Sequence, residues 1–269
     1  MSMLLDAQFI TAFSVTVMAG LATVIGGALV LYFKKPNFRV LAFGLAFAAG
    51  AMVYVSLTEI LNKSISSFSM VFDERLGFTF GTFAFLAGVI FVLLLDRFIP
   101  NPHETIETLP EQGINRQQLL RTGLLTFFAI SAHNLPEGLA TFFSMLESPT
   151  LGAPLAVAIA IHNIPEGVAI ALPVYMATGR KDYALLASLL SGLAEPLGAL
   201  LGYFILAPFM SPTVYGALFG LIGGVMVYLA LDELLPTAKQ YAQGHEPVYG
   251  LVSGMVALAT SLVIFRFAM

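Results

Sequence analysis

Long apolar runs alternate with short polar stretches along the whole chain of 269 residues. A helix that crosses a hydrocarbon core of about 30 Å needs about 20 mostly apolar residues. The pattern predicts eight transmembrane helices, near 7–33, 39–62, 77–99, 119–146, 152–176, 183–207, 212–236 and 247–268. The only long polar connection, about 97–118, predicts a flexible loop. We therefore expect an all-α integral membrane protein with a single transmembrane domain over residues 1–269.

Composition excludes several classes of protein. Hydrophobic residues make up 58% of the chain, charged residues only 10%, and the mean hydropathy is +0.88, which excludes an ordinary soluble domain. The net charge of −4 is small, and without a basic stripe we expect no nucleic-acid partner. The absence of cysteine excludes disulfides, thiolate ligands and a cysteine nucleophile. Any metal site must therefore use histidine, carboxylate, asparagine and methionine.

A six-residue polar motif occurs twice inside apolar runs. The stretch from His133 to Gly138, His-Asn-Leu-Pro-Glu-Gly, returns 29 positions later as His-Asn-Ile-Pro-Glu-Gly. In a helix the histidine and the glutamate are four residues apart and share a face. The proline removes a backbone hydrogen bond and bends each helix beside these side chains. Two such helices facing each other would form a cation site.

Acidic residues within predicted helices strengthen this prediction. An ionised carboxylate at membrane depth costs about 3 kcal/mol, so such acids must be protonated, face water or bind a cation. Beside two histidines and two asparagines, a bound metal ion is the favoured explanation, and Glu195 of helix 6 would complete the site from a third helix. The candidate ligands are His133, Asn134, Glu137, His162, Asn163, Glu166 and Glu195.

Helices 2 and 7 supply weaker candidates. Met52, Ser56 and Glu59 share one face of helix 2, and Met226 and Glu233 repeat that spacing in helix 7. A methionine on a helix face more often packs than binds metal, so these positions are possible accessory ligands only. Imidazole with carboxylate and amide oxygen suits Zn²⁺, Fe²⁺, Mn²⁺, Co²⁺ or Cd²⁺ better than Cu(I) or Ca²⁺. We expect such an ion as cargo and no separate cofactor.

A second repeat relates the two ends of the chain. Residues 50–61 and 224–235, at an offset of 174, are identical at seven of twelve positions. The two copies lie in helices that cross the bilayer in opposite directions, so helices 1–3 and 6–8 are predicted to form an inverted repeat around helices 4 and 5. Inverted repeats around broken helices are typical of transporters, and we do not expect an enzyme. Small residues of helix 6, including Gly192, Gly198 and Gly202, predict a close-packing face.

The distribution of basic residues predicts the orientation. Nine lysines and arginines lie in odd-numbered loops and three, Lys63, Arg75 and Arg266, on the other side. Because cytoplasmic loops are enriched in these residues, we expect the odd loops in the cytoplasm and both termini outside it. Two further histidines, His103 and His245, belong to loops, where a solvated side chain is the simpler explanation.

Together these features resemble the ZIP family of divalent-metal transporters, in particular its bacterial ZupT-like branch. The resemblance is carried by the paired HNxPEG motifs, the eight spans, the GxMxY…E stretch of helix 2 and the Glu-Pro of helix 6. It implies metal uptake across the cell membrane into the cytoplasm, a 3+2+3 helix arrangement, a two-metal site between helices 4 and 5, and a homodimer.

The resemblance also implies a division of the ligands between two sites. One site would use His133, Glu137, His162 and Glu166, with Met52 nearby. The adjacent site would use Asn134, Asn163 and Glu195, with Glu137 and Glu166 bridging the two.

Two alternatives to a metal transporter stay open on the residues alone. A membrane metalloenzyme could hold zinc on a helix, but HExxH and the other expected pairings are missing. A proton-coupled solute carrier could use the acids as relays, but a relay does not require a repeated histidine with an acid four residues later.

Overall fold

The computed structural model describes residues 7–32, 38–96 and 116–268, and every regular element in these ranges is helical. The α-helices, numbered in chain order, are α1 (Ala7–Val30), α2 (Phe38–Val55), α3 (Leu61–Ser69), α4 (Glu74–Asp96), α5 (Arg116–Glu147), α6 (Pro149–Thr178), α7 (Lys181–Gly192), α8 (Ala194–Leu206), α9 (Pro212–Leu229), α10 (Leu235–Tyr241) and α11 (Glu246–Ala268). Of the predicted flexible loop at 97–118, residues 97–115, including His103, lie outside the described residues.

Seven helical segments in the described part of the chain are long and apolar enough to cross a membrane. They are Ala7–Val30, Phe38–Ser69, Glu74–Leu95, Gly152–Thr178, Lys181–Phe209, Pro212–Tyr241 and Glu246–Ile264. The predicted all-α membrane architecture is confirmed at this level. Helix α5 is 32 residues long, yet it is not one of the seven, and it carries a polar motif midway along its length. The count of eight spans therefore stays a prediction.

Two π-helical turns interrupt long helices at equivalent places. Ser56–Ile60 joins α2 to α3, and Ala230–Leu234 joins α9 to α10. Their starts are 174 residues apart, which is the offset of the sequence repeat. Such turns often occur at functional sites, and these two contain Glu59 and Glu233.

The helix that contains α2 and α3 continues to Ser69, beyond the predicted end at 62. The apolar pattern ends early because α3 is rich in serine, but Ser64 and Ser67 are buried against the rest of the bundle. Lys63, which the sequence placed in a loop, is therefore a half-buried residue of a helix.

The single helix predicted at 183–207 is wrong in one respect, because it is divided into α7 and α8 at Leu193. Pro196 has no N–H to donate to the carbonyl of Gly192, and this loss interrupts the helical ladder. The division places Glu195 in the first turn of α8.

Glycines allow the helices that surround the motifs to approach closely. The predicted small-residue face is confirmed, since Gly192, Gly198 and Gly202 are all buried. A methyl group at Gly198 would overlap the carbonyl oxygen of Leu135 on α5. A methyl group at Gly26 would overlap the carbonyl oxygen of Ile164 on α6 in the same way. Backbones in direct contact hold α8 against α5 and α1 against α6.

Candidate metal centre

The two polar motifs lie in the middle of α5 and α6, which pack against each other along their length. All six polar side chains of the motifs are buried, with at most 3% of any residue exposed. They are His133, Asn134, Glu137, His162, Asn163 and Glu166. Burying this many polar groups in an apolar bundle is costly unless they bind one another or a ligand.

Four of these side chains form a central cluster, which comprises His133, Glu137, His162 and Glu166. The Oε1 atom of Glu137 lies 3.0 Å from Nε2 of His133 and 2.8 Å from Nε2 of His162. Nε2 of His133 lies 3.9 Å from Oε1 of Glu166. Ligand atoms of His133, Glu137 and Glu166 all lie within 4.8 Å of one another, a spacing that can hold a metal ion. His162 joins this group through its contact with Glu137.

The hydrogen-bond partner of Nδ1 determines the tautomer of His162. Nδ1 lies 3.1 Å from the carbonyl oxygen of Ala158, and a carbonyl can only accept, so Nδ1 carries the hydrogen. In a neutral imidazole Nε2 then presents its lone pair to Glu137. A lone pair and a carboxylate oxygen at 2.8 Å require a proton or a cation between them. Metal-bound histidines usually donate their other N–H to a carbonyl or carboxylate in this way.

The two asparagines bind the neighbouring helices through their amide nitrogens. Nδ2 of Asn134 donates to the carbonyl oxygen of Ser191, and Nδ2 of Asn163 donates to that of Ala19. Asn163 also donates to a carboxylate oxygen of Glu195, which is fully buried. In this conformation Asn163 supports Glu195 through its nitrogen, and its amide oxygen is left for another partner.

Many acceptor atoms around the cluster have no hydrogen-bond donor among the described residues. They are Oδ1 of Asn134 and Asn163, Oε2 of Glu137 and Glu195, and both carboxylate oxygens of Glu166. Buried polar atoms in proteins are nearly always paired. A concentration of buried acceptors without donors is the arrangement that a positively charged ligand satisfies.

The accessory candidates divide into two groups. Met52 and Glu233 line one cavity together with His133, so both lie on the side of the central cluster that His133 occupies. Ser56 is buried, and its hydroxyl has no hydrogen-bond partner within the described residues. Glu59 lines a different cavity, together with Tyr54 and Asn62.

Sequence reasoning missed the role of the last residue of each motif. A methyl group at Gly138 would overlap the carbonyl oxygen of Glu195, and one at Gly167 would overlap the carbonyl oxygen of Thr23. These glycines allow the flanking helices to reach the asparagines and the central cluster. The signal was present in the sequence, because the glycine is repeated at the same place in both motifs.

Comparison with known proteins identifies the family. A family model described as ZIP Zinc transporter matches residues 100–262, a range that includes both motif helices. The chain belongs to the ZIP zinc transporter family. This confirms the family resemblance that the motifs indicated.

Relatives in this family match almost the whole of the ZIP chain. The protein named Zinc transporter ZupT of Stenotrophomonas maltophilia (strain K279a) is 64% identical over 258 residues, which are 95% of this chain and 96% of that protein. The protein of the same name from Neisseria meningitidis serogroup B is 59% identical over 258 residues, with the same coverage. That from Streptococcus mutans is 44% identical over 264 residues, or 97% of this chain and 100% of that protein.

Proposed function

We propose that this protein transports zinc ions across the membrane through the central cluster. The observation that carries the proposal is the convergence of buried carboxylates and imidazoles between α5 and α6, where six carboxylate and amide oxygens have no donor among the described residues. Nitrogen and carboxylate-oxygen ligands are those that Zn²⁺ prefers. Relatives named as zinc transporters favour transport over the metalloenzyme and the solute carrier.

The buried side chains around the central cluster include enough ligand atoms to bind a second ion. His133, Glu137, His162 and Glu166 would bind one ion, and Asn134, Asn163 and Glu195 would bind the other, with Glu137 and Glu166 shared. The amide oxygens of both asparagines and one oxygen of Glu195 have no donor among the described residues, which supports this division. The same ligands suit Fe²⁺, Mn²⁺, Co²⁺ and Cd²⁺, and we include these ions as further substrates.

An inverted repeat of the first three and the last three predicted spans, around α5 and α6, would provide access from both sides of the membrane. Contacts that occur in pairs support it. A methyl group at Gly50 would overlap the carbonyl oxygen of Leu251, and one at Gly224, 174 positions later, would overlap that of Phe85. The eighth span of this arrangement is α5. Import into the cytoplasm, location in the cell membrane and a homodimeric assembly rest on the family resemblance.

Uptake of Zn²⁺ by vesicles containing the purified full-length protein tests the proposal. His133→Ala and Glu137→Ala should abolish or nearly abolish uptake, because each removes one of about four ligands. His245→Ala is the matched control, since His245 is exposed in a loop and its loss should have little effect. Zn²⁺ uptake by Glu137→Ala at the rate of the unsubstituted protein would show that the ions take another route.

A further inference from the structure

Lys63 occupies an unusual position at one end of the bundle. It is half-buried on α3, and its ammonium group donates to the hydroxyl of Ser144 on α5. The same nitrogen lies 5.4 Å from the ring centre of Phe219 on α9. Burial disfavours the ammonium charge, and the nearby carboxylates of Glu147 and Glu59 offset part of that cost. The ammonium group of Lys63 therefore reaches from α3 to residues of both α5 and α9.

The register of two helices relates Lys63 to the central cluster. Met52 and His133 line the same cavity, whereas Lys63 and Ser144 are joined by a hydrogen bond. Each second residue is 11 positions after the first in its own helix (63 − 52 and 144 − 133). The helices thus run parallel in register, and at about 1.5 Å per residue Lys63 lies roughly 16 Å along the bundle from the cluster.

Two polar side chains between these levels, Ser56 and Thr141, have no hydrogen-bond partner among the described residues. Ser56 is four residues after Met52 on its helix, and Thr141 is four residues after Glu137 and three before Ser144 on α5. Both Ser56 and Thr141 are fully buried. Glu137, Thr141 and Ser144 follow one another along one face of α5, from the central cluster to the hydroxyl that Lys63 contacts. Unpaired buried hydroxyls are rare in packed interiors.

We propose that these side chains line a polar path from the central cluster, and that Lys63 is a tethered cation that closes its end at Ser144 and admits only ions able to displace it. The inference rests on the proposed function, since it takes the path to be a route for metal ions. Lysine suits the role because its compact charge is carried on a flexible four-carbon stem. A divalent ion gains twice the Coulomb energy of an ammonium group from Glu59 and Glu147, whereas a monovalent ion gains no advantage. Lys63 thus contributes to selection of divalent over monovalent cations.

A purely structural role makes a different prediction. If Lys63 served only to hold α3, α5 and α9 together, its removal would lower stability without changing which ions enter the path. The two roles are separated by a measurement of charge-selective access.

The absence of cysteine from the chain allows such a measurement. A single cysteine at Ser56 is treated, in membrane vesicles containing the full-length protein, with cationic and anionic methanethiosulfonate reagents of similar size. With Lys63→Met, the ratio of cationic to anionic reaction rates should rise at least fivefold. Lys63→Arg should keep the low ratio, and Lys181→Met, which removes an exposed lysine, should not change it. An unchanged ratio in Lys63→Met overturns the proposal, as does a complete lack of reaction in that variant.

Competition during uptake tests the selectivity and keeps the two proposals distinguishable. In Lys63→Met, K⁺ should inhibit Zn²⁺ uptake at concentrations at least fivefold lower than in the unsubstituted protein. Uptake that depends on His133, with no change in K⁺ inhibition or labelling ratio, would overturn the role of Lys63 and leave zinc transport intact. A raised labelling ratio in a protein that does not take up Zn²⁺ would overturn the proposed function and retain Lys63 as the closing cation.

Discussion

Asn134 and Asn163 make the same hydrogen bond to two different helices. Nδ2 of Asn134 lies 3.0 Å from the carbonyl oxygen of Ser191 on α7, and Nδ2 of Asn163 lies 2.9 Å from that of Ala19 on α1. The asparagines are 29 positions apart and the acceptors 172. The equivalence ends at the second acceptor, which is the hydroxyl of Ser191 for Asn134 and the carboxylate of Glu195 for Asn163.

This difference predicts unequal effects of the same substitution. Asn163→Asp places a carboxylate against Glu195 and removes the amide that donates to Glu195. In the metal-free protein it should lower the free energy of unfolding by about 1–3 kcal/mol more than Asn134→Asp does. Thermal unfolding of the detergent-solubilised variants in the presence of a chelator measures this. Added Zn²⁺ should reduce the difference by compensating the extra charge. Equal losses in the two variants would show that Glu195 does not depend on Asn163.

The glycine that ends each motif provides a prediction about packing. Gly138→Ala and Gly167→Ala force a methyl group against a carbonyl oxygen of the neighbouring helix, and overpacking of this kind typically costs about 1–3 kcal/mol. Both variants should unfold at lower temperature and take up less Zn²⁺. Gly44→Ala is the matched control, because its methyl group would lie 3.8 Å from Cβ of Pro165, an ordinary contact. If Gly44→Ala were as destabilising as the other two, close helix approach would not explain the motif glycines.

Metal should stabilise the folded protein if the central cluster binds it. Zn²⁺ at about 100 times its dissociation constant should contribute about 2.7 kcal/mol of stability, and a chelator should remove it. Glu137→Gln keeps the size of the side chain and removes a charge that two histidines contact, so this variant should lose most of the stabilisation. His245→Ala should retain it. Thermal unfolding with and without Zn²⁺ gives the comparison, and full stabilisation of Glu137→Gln would place the ion elsewhere.

The orientation in the membrane is a separate prediction. Val71, between α3 and α4, is 52% exposed, and by the basic-residue bias it should lie outside the cytoplasm. Lys181, at the start of α7, is exposed and should lie inside. In intact cells a cysteine at Val71 should react with an impermeant thiol reagent, and one at Lys181 should react only after permeabilisation. The opposite pattern would place both termini in the cytoplasm.

Much of this protein follows from its sequence because the bilayer imposes simple rules. Apolar runs of spanning length predict helices, since backbone groups in lipid must be paired within the segment. An acid at membrane depth is costly without a counter-charge. Acids there that lie one helical turn from a histidine therefore predict a cation site. His133, Glu137 and Glu166 could therefore be assigned to one cluster from their positions in the chain.

What only the tertiary structure decided depends on contacts between helices that are distant in sequence. The amide of Asn163 bonds to Ala19 and Glu195 because α1 and α8 approach the motif helices, and no local pattern reports that approach. The sequence around Lys63 is polar and looks like a loop. Lys63 lies beside Ser144 only because the folded chain brings α3 and α5 to the same level of the bundle. Hydropathy records how each residue interacts with lipid or water. It does not record which buried polar group another helix brings to it, and the contacts of Asn163 and Lys63 are of that kind.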